Sequence, residues 1–429
     1  MRVILYTAMF LLLVPAILIA QAGETSENQQ VKKNNVKIEP FLMLQLWSSY
    51  SIGQTLFDAE KAQYEPVDDR FNIMLRRARI GFRAQPYEGL EFTVVTAYDM
   101  IGRDIHSALV GEPNNGAIPK LGIWDAYLQW SVHKNSEAFN IVAGYFRPQL
   151  SRESITSGWS VNSMEKSMSQ NYIRKHLVGT GVGRAAGLNV GGLLLHHKIN
   201  YNIGIFNPVF HSNNGNSTGV HYAPLLSGRV AVNIGEPEMN RYKVAYDINY
   251  FNERHGLTLA AGAAWQGRTD LFSESYMTSV DMLLNLGAFN LDGEWNQMWR
   301  EGRRSLENEH FITSYATGHI RAGYNVMIDH RFFIEPSFML MHFAGALDAE
   351  GQENARALNS HSGTETTYDA GVNWYLNRKN LKLMLHYTWH TGQPGAAGAG
   401  AAVNTFFHQK DVGAIQRGNW LGLGMHAIF

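Results

Sequence analysis

The chain has 429 residues, with 36 Lys and Arg against 37 Asp and Glu, so a formal charge of −1 gives no pull toward nucleic acid or an anionic surface. It contains no cysteine, which excludes a disulfide framework and thiol chemistry. Charged residues reach only 17% while aromatics make up 12%, a balance suited to strands that show one face to lipid and one to water.

At the start, Met1-Arg2 is a short basic segment, Val3 to Ile19 an apolar run, and Ala20-Gln21-Ala22 a small-x-small cleavage pattern. Residues 1–22 therefore read as a secretory signal peptide, with a retained membrane anchor as the alternative. Residues 23–35 are polar and form a loose mature N-terminus. No later apolar run approaches the roughly 18 residues of a spanning helix. The rest, 36–429, alternates with period two and reads as one all-β domain.

Strand-like stretches fall near 36–48, 70–84, 89–99, 121–133, 138–147, 187–197, 199–207, 226–235, 242–251, 257–267, 276–286, 288–299, 314–326, 331–343, 367–377, 381–391 and 418–429. In the second, Ala78, Ile80 and Phe82 share one face and Arg77, Arg79 and Arg83 the other. An arginine in lipid at mid-depth costs about 2–4 kcal/mol, so the three arginines face a lumen. A guanidinium row there favours anions, because each fork matches phosphate or carboxylate, unless acidic neighbours neutralise it. In the fourth, Trp124, Ala126, Leu128, Trp130 and Val132 form the apolar face and Asp125, Tyr127, Gln129 and Ser131 the polar one.

The connection 148–186 carries Arg152, Lys166, Arg174, Lys175 and Arg184 against Glu153 and Glu165. Folded into a barrel, it would place basic charge where water is thin and fields are strong. Left outside, it is a solvated surface loop. By parity Asp125, Asp292, Glu294, Glu335, Arg229, Arg321 and Lys382 also point inward, so the lumen is of mixed charge. His386 and His390 share a face but bring no third ligand, and no nucleophile motif accompanies any histidine, so neither metal site nor enzyme is expected. No cofactor is implied. Gly395 to Ala402 reads as a flexible loop tip.

The final stretch, Leu421 to Phe429, puts Leu421, Leu423, Met425, Ala427 and Phe429 on one face. It resembles the closing strand of bacterial outer-membrane β-barrels, whose terminal aromatic is read by the barrel-assembly machinery. In such a barrel the short turns at 85–89, 133–137, 197–198, 287, 327–330 and 377–380 are periplasmic. The long connections at 50–69, 100–120, 148–186, 207–225, 300–313, 344–366 and 392–417 are extracellular. The two sets alternate only if Arg241–Phe251 does not span. Sixteen strands is the consistent count, with eighteen as the alternative.

Arg76-Arg77-Ala78-Arg79-Ile80-Gly81 resembles the arginine strand of the phosphate-selective porin family, porins O and P. Ile123-Trp124-Asp125-Ala126-Tyr127 is similar to that family's "DAY" strand. Ala143 to Glu153, Met164-Glu165-Lys166-Ser167 and Phe206-Asn207 resemble further segments, with Arg147 and Lys166 standing where the family has Lys and Arg. The resemblance implies a sixteen-stranded homotrimeric porin of the outer membrane that passes anions such as phosphate by diffusion. The anion pathway expected here comprises Arg77, Arg79, Arg83, Arg147, Arg152, Lys166, Arg174, Lys175, Arg229, Arg321 and Lys382. A general non-selective porin is the alternative, and a structural or adhesion barrel a more distant one, since a barrel of this width normally leaves an aqueous channel.

Overall fold

Alternating side chains settle into lipid-facing and lumen-facing rows of strands. The computed structural model describes residues 36–111, 116–209, 219–304 and 309–429. The signal peptide and polar N-terminus expected over 1–35 lie outside the described residues. Among those described, sixteen strands form the wall. They are β1 (Lys37–Ile52), β2 (Arg70–Tyr87), β3 (Leu90–Ala97), β4 (Gly122–Ser131), β5 (Asn140–Phe146), β6 (Ala185–Leu194), β7 (Ile199–Asn207) and β8 (Leu225–Gly235). Then follow β9 (His255–Gln266), β10 (Glu274–Leu286), β11 (Phe289–Arg304), β12 (Glu309–Tyr324), β13 (Phe332–Ala344), β14 (Thr364–Asn377), β15 (Leu381–Gln393) and β16 (Asn419–Ile428). Val326–Ile328 prolongs β12 along β13.

Each strand pairs antiparallel with the next, and β16 pairs with β1 from Met43↔Ile428 to Ile52↔Asn419, so the sheet closes and has no edge. Phe429 extends the seam, donating its N–H to the Leu42 carbonyl at 2.9 Å. In β16, Leu421, Leu423 and Met425 are exposed on the outer surface while Gly422, Gly424 and His426 turn inward. Arg241–Phe251 is not a wall strand, as the alternation of short and long connections requires. Strands β11 and β12 run to Arg304 and from Glu309, so the long connection expected at 300–313 is largely strand.

Two of the four register shifts in the wall break parity beside the inner loop. Between β1 and β2 the register shifts at Gln45/Leu46, and Arg76 and Arg77, adjacent in sequence, are both buried. Between β3 and β4 it shifts at Val95/Thr96, opposite Trp124. Trp124 therefore leaves the lipid-facing row expected of it and meets lumen arginines instead.

The interior is filled. The connection between β5 and β6 lies inside the barrel and carries two helices, α1 (Arg152–Ile155) and α2 (Ser169–Val178), with almost every residue from Arg147 to Val178 buried. From the opposite, short-turn rim, residues 236–254 also enter. Tyr246 forms a parallel β-bridge with Thr156 of the inner loop. At the long-loop rim, Thr55–Asp58, Gln63–Pro66, Phe406–Gln409 and Gly413–Gln416 make a small four-stranded sheet. Gly395 to Ala402 is not a loose tip. It forms a 3-10 turn whose Ala397 N–H donates to Gln352 Oε1 at 2.5 Å, on a helix α3 (Ala349–Ala357) of the neighbouring loop.

Candidate functional site

The wall and the inner loop enclose a narrow passage beside β2, β4 and β5. Its lining includes Arg77, Arg79, Arg147, Lys166 and Arg174, together with Trp124, Gln170 and the Thr156–Trp159 stretch of the inner loop. The cavity measures about 40 Å³. That is room for about three water molecules, not a wide bore. Below it, toward the short-turn rim, a chamber of about 570 Å³ shares Ser157 and Trp159 with the passage and is lined by Arg83, Glu91, Lys243 and Asp247 among others.

Each base in the passage is held differently. Arg79 forms a fork with Asp99, Nη2 to Oδ2 at 2.9 Å, and its guanidinium lies 3.9 Å from the centre of the Trp124 ring. Arg184 stacks on the same ring at 3.9 Å and pairs with Asp125. Arg77 bonds Gln45 and Glu165, and Arg76 reaches the second oxygen of Glu165 at 2.7 Å. Burial disfavours the charged Glu165 carboxylate, but the two guanidiniums outweigh it and hold its pKa at about 2.

The other three bases have no carboxylate ion-pair partner among the described residues. Arg147 donates to the carbonyls of Ser154, Ile155 and Thr156 at 3.0 to 3.2 Å, turning the loop back on itself. The Lys166 ammonium donates to the carbonyls of Glu153 and Thr156. Burial, then the guanidiniums of Arg174, Arg147 and Arg184, push its pKa well down while Glu153 opposes them. Arg174 packs against Gly183, which sits at φ +71°, and a Cβ there would fall 2.3 Å from Arg174 Cγ. Glycine at that position admits the side chain. Arg174 Nε is buried without a hydrogen bond.

The remaining expected bases lie elsewhere. Arg83 is exposed in the chamber, 5.3 Å from the Phe41 ring. Arg321 joins Asp292 at 2.8 Å and Glu153 at 2.9 Å, with His319 on the same Asp292. Arg229 pairs with Asp281 at 2.7 Å, and Arg152 with Glu238 at 2.5 Å and Asp281 at 3.2 Å. Lys382 donates to the Val161 carbonyl at 2.7 Å. These four fasten the inner loop to the wall or neutralise its attachments and do not line the passage. Nor does Lys175, one residue beyond Arg174, whose pKa burial lowers to about 8. Glu153, Asp292 and His319 have ligand-type atoms within 4.8 Å of one another, but Arg321 already donates to both carboxylates and supplies the cation. His386 bonds Asp369, whereas His390 bonds the Arg417 carbonyl, so the two do not converge.

Sequence reasoning missed Arg76, Trp159 and Gln170, and put Trp124 on the wrong face. One signal was available: two consecutive arginines in a spanning strand cannot obey strict alternation without one meeting lipid, so Arg76-Arg77 marks a bulge.

The fold and passage can be compared with known proteins. No curated protein sequence matches the chain. The anion-selective porin from Comamonas acidovorans aligns over 92% of this chain and 100% of its own, with a TM-score of 0.54 and 14% identity. OmpF of Salmonella typhi, solved with daunomycin, aligns over 94% and 100% at a TM-score of 0.55 and 12% identity. The outer-membrane channel DcaP of Acinetobacter baumannii aligns over 95% and 100%, at 0.52 and 13%. At these identities the likeness is one of fold, a porin barrel. The family model described as phosphate-selective porin O and P matches residues 53–405, which takes in the arginine strand, the inner loop and the Trp124 strand. The chain thus belongs to the phosphate-selective porin O and P family, outer-membrane β-barrel channels.

Proposed function

We propose that this porin passes small anions by diffusion and that the passage holding Arg77, Arg79, Arg147, Lys166 and Arg174 discriminates against cations. The observation that carries this is the convergence of Arg147, Lys166 and Arg174 with no carboxylate ion-paired to any of them among the described residues. A unit charge about 4 Å from an anion is worth about 1 kcal/mol in bulk water and about 4 kcal/mol at an effective dielectric constant near 20. A narrow passage therefore turns a small basic excess into selectivity that a wide mouth could not provide. Arg83 in the chamber below continues the row and gives a departing anion a partly hydrated stop. Arg152, Arg229, Arg321, Lys382 and Lys175 act on the pathway through the shape and field of the inner loop.

The solute class is small anions such as phosphate, whose oxygens suit guanidinium forks. The anion-selective neighbour from Comamonas acidovorans supports this reading. Export by a signal peptide over 1–22, a homotrimeric assembly and recognition of Phe429 by the barrel-assembly machinery complete the proposal, the last two resting on the resemblance. The test is reversal potential across a planar bilayer holding purified protein in a KCl gradient. Chloride preference that falls in an Arg147→Gln, Arg174→Gln double variant supports the passage as the filter, and block of that current by added phosphate gives the solute. No charge preference reduces the protein to a general porin. Absence of conductance overturns the channel reading.

A further inference from the structure

A further hollow, of about 850 Å³, opens at the long-loop rim between the β9–β10 connection, the facing ends of β11 and β12, and α3. It shares no lining residue with the passage or with the chamber below it. Its volume lies within the roughly 300–1,000 Å³ of small-ligand sites. Neither barrel closure nor an anion filter calls for it.

The floor is apolar and already formed. Phe272 and Leu358 are buried and pack with Leu271 and Phe311. Gly302 lets them meet, since a Cβ there would fall 2.6 Å from Phe311 Cζ and 2.7 Å from Leu358 Cδ2. Behind the floor, the Arg300 guanidinium lies 5.1 Å from the centre of the Phe272 ring. It donates to the carbonyls of Leu358 at 2.8 Å, Asn359 at 2.9 Å and His176 at 2.8 Å. One side chain thus fixes the ends of α3 and α2, and a ligand would meet a surface that needs no reordering.

The rim is charged, and its charges fall into two sets. Asp270 accepts from the backbone N–H groups of Val220 at 2.5 Å and His221 at 2.8 Å, and Glu301 accepts from the Tyr276 hydroxyl. Those two carboxylates are engaged. Arg268 and Arg303, with Glu274 and Glu353, line the same hollow without an ion pair or side-chain hydrogen bond among the described residues. His221 and His310 share the rim. A ligand of one sign would face a repelling pair, whereas a ligand bearing both signs answers both pairs. A carboxylate matches the guanidinium forks, and an ammonium group matches the glutamates.

We propose that this hollow is a binding site, on the extracellular face, for a short zwitterionic peptide with apolar side chains. Its carboxylate lies on Arg268 and Arg303, its ammonium group on Glu274 and Glu353, and its side chains cover Phe272, Phe311 and Leu358. The site is independent of the anion filter, because the two have no residue in common. The barrel then presents a ligand-binding face to the medium besides the channel in its lumen.

The experiment titrates the full-chain porin in detergent with the dipeptide Leu-Phe by calorimetry. Beside it run N-acetyl-Leu-Phe, which lacks the ammonium group, and Leu-Phe amide, which lacks the carboxylate. Saturable binding of Leu-Phe, weakened about ten-fold by blocking either end, supports the proposal. An absence of saturable binding at millimolar peptide overturns it. Equal binding of the acetylated form also overturns it, since the site would then take amphipathic anions. An Arg268→Gln, Arg303→Gln double variant decides the location. Both side chains are exposed and neither lines the passage, so conductance stays parental. Leu-Phe should bind this variant about ten-fold more weakly, and Leu-Phe amide no more weakly than it binds the parent. Undiminished Leu-Phe binding places the peptide elsewhere and overturns the site.

Discussion

Two sides of the same lumen carry the same residue types and treat them in opposite ways. Along β8 to β13, Arg229, Arg321 and the inner-loop Arg152 each meet Asp or Glu at salt-bridge distance and are fully enclosed. Beside β2 to β5, Arg147, Lys166 and Arg174 rest on backbone carbonyls or on nothing. The paired side is a fastening, since each charge is cancelled where it sits and its geometry holds the loop. On the proposed reading, the unpaired bases keep a field that an anion can complete. Counting inward bases along the chain gives both sides equal weight. The sides differ because on one each of these bases meets a carboxylate, whereas on the other Arg77 and Arg79 do and Arg147, Lys166 and Arg174 do not.

The sharpest way to break this contrast is on the fastening. Arg321→Met leaves Glu153 and Asp292 enclosed with only His319 between them. Removing one partner of a buried pair costs about 3–5 kcal/mol. The variant should unfold at lower denaturant in detergent and show noisy, enlarged conductance as the inner loop comes away. Parental stability and quiet current would mean that water already carries those charges. Next in size is the passage itself. Arg174→Gln removes a cation that nothing neutralises, and the chloride-to-potassium permeability ratio should fall about five-fold, the equivalent of about 1 kcal/mol. Arg229→Gln, equally basic and equally inward, should leave that ratio nearly untouched. Equal effects of the two would erase the distinction between fastening and filter.

Glu165 is a carboxylate on the passage side, as is Asp99. It is shared by Arg76 and Arg77, and its pKa near 2 keeps it charged throughout the working range. Glu165→Gln should therefore raise chloride preference by releasing part of two guanidinium fields, at some cost in stability. Reversal potential read beside a melting curve separates the two effects. A fall in preference would mean that Glu165 positions the arginines more than it neutralises them.

The wall was legible in the sequence because lipid enforces alternation on every strand. The exclusion of Arg241–Phe251 followed from loop order alone, since that segment has the same alternation as a strand. Its Tyr242, Val244, Tyr246 and Ile248 alternate because they pack against asparagines and the inner loop, a dry environment that imitates lipid in a sequence pattern. Arg76 and Trp124 were misplaced or missed because a bulge moves one residue across the sheet and parity counting has no term for it. Pairing was illegible for a different reason. Arg321 finds Glu153 across 168 residues of chain and Arg152 finds Asp281 across 129, so neutralised and free bases look alike until the barrel closes.

The smallest effect concerns Lys166, a passage base whose charged form burial disfavours. Burial and the guanidiniums of Arg174, Arg147 and Arg184 lower the Lys166 pKa well below that of a free lysine, and only Glu153 pulls the other way. Above the lowered value the passage lacks this charge, and as pH falls through it the passage gains a cation. Chloride preference should therefore strengthen on acidification, the same direction that neutralising carboxylates would give. Lys166→Arg separates the two causes, because a guanidinium stays protonated over the whole range. If Lys166 is the titrating group, the variant keeps high preference at every pH and its profile flattens. If the slope persists in the variant, the titration belongs to another group, and the free side of the lumen is smaller than the contrast requires.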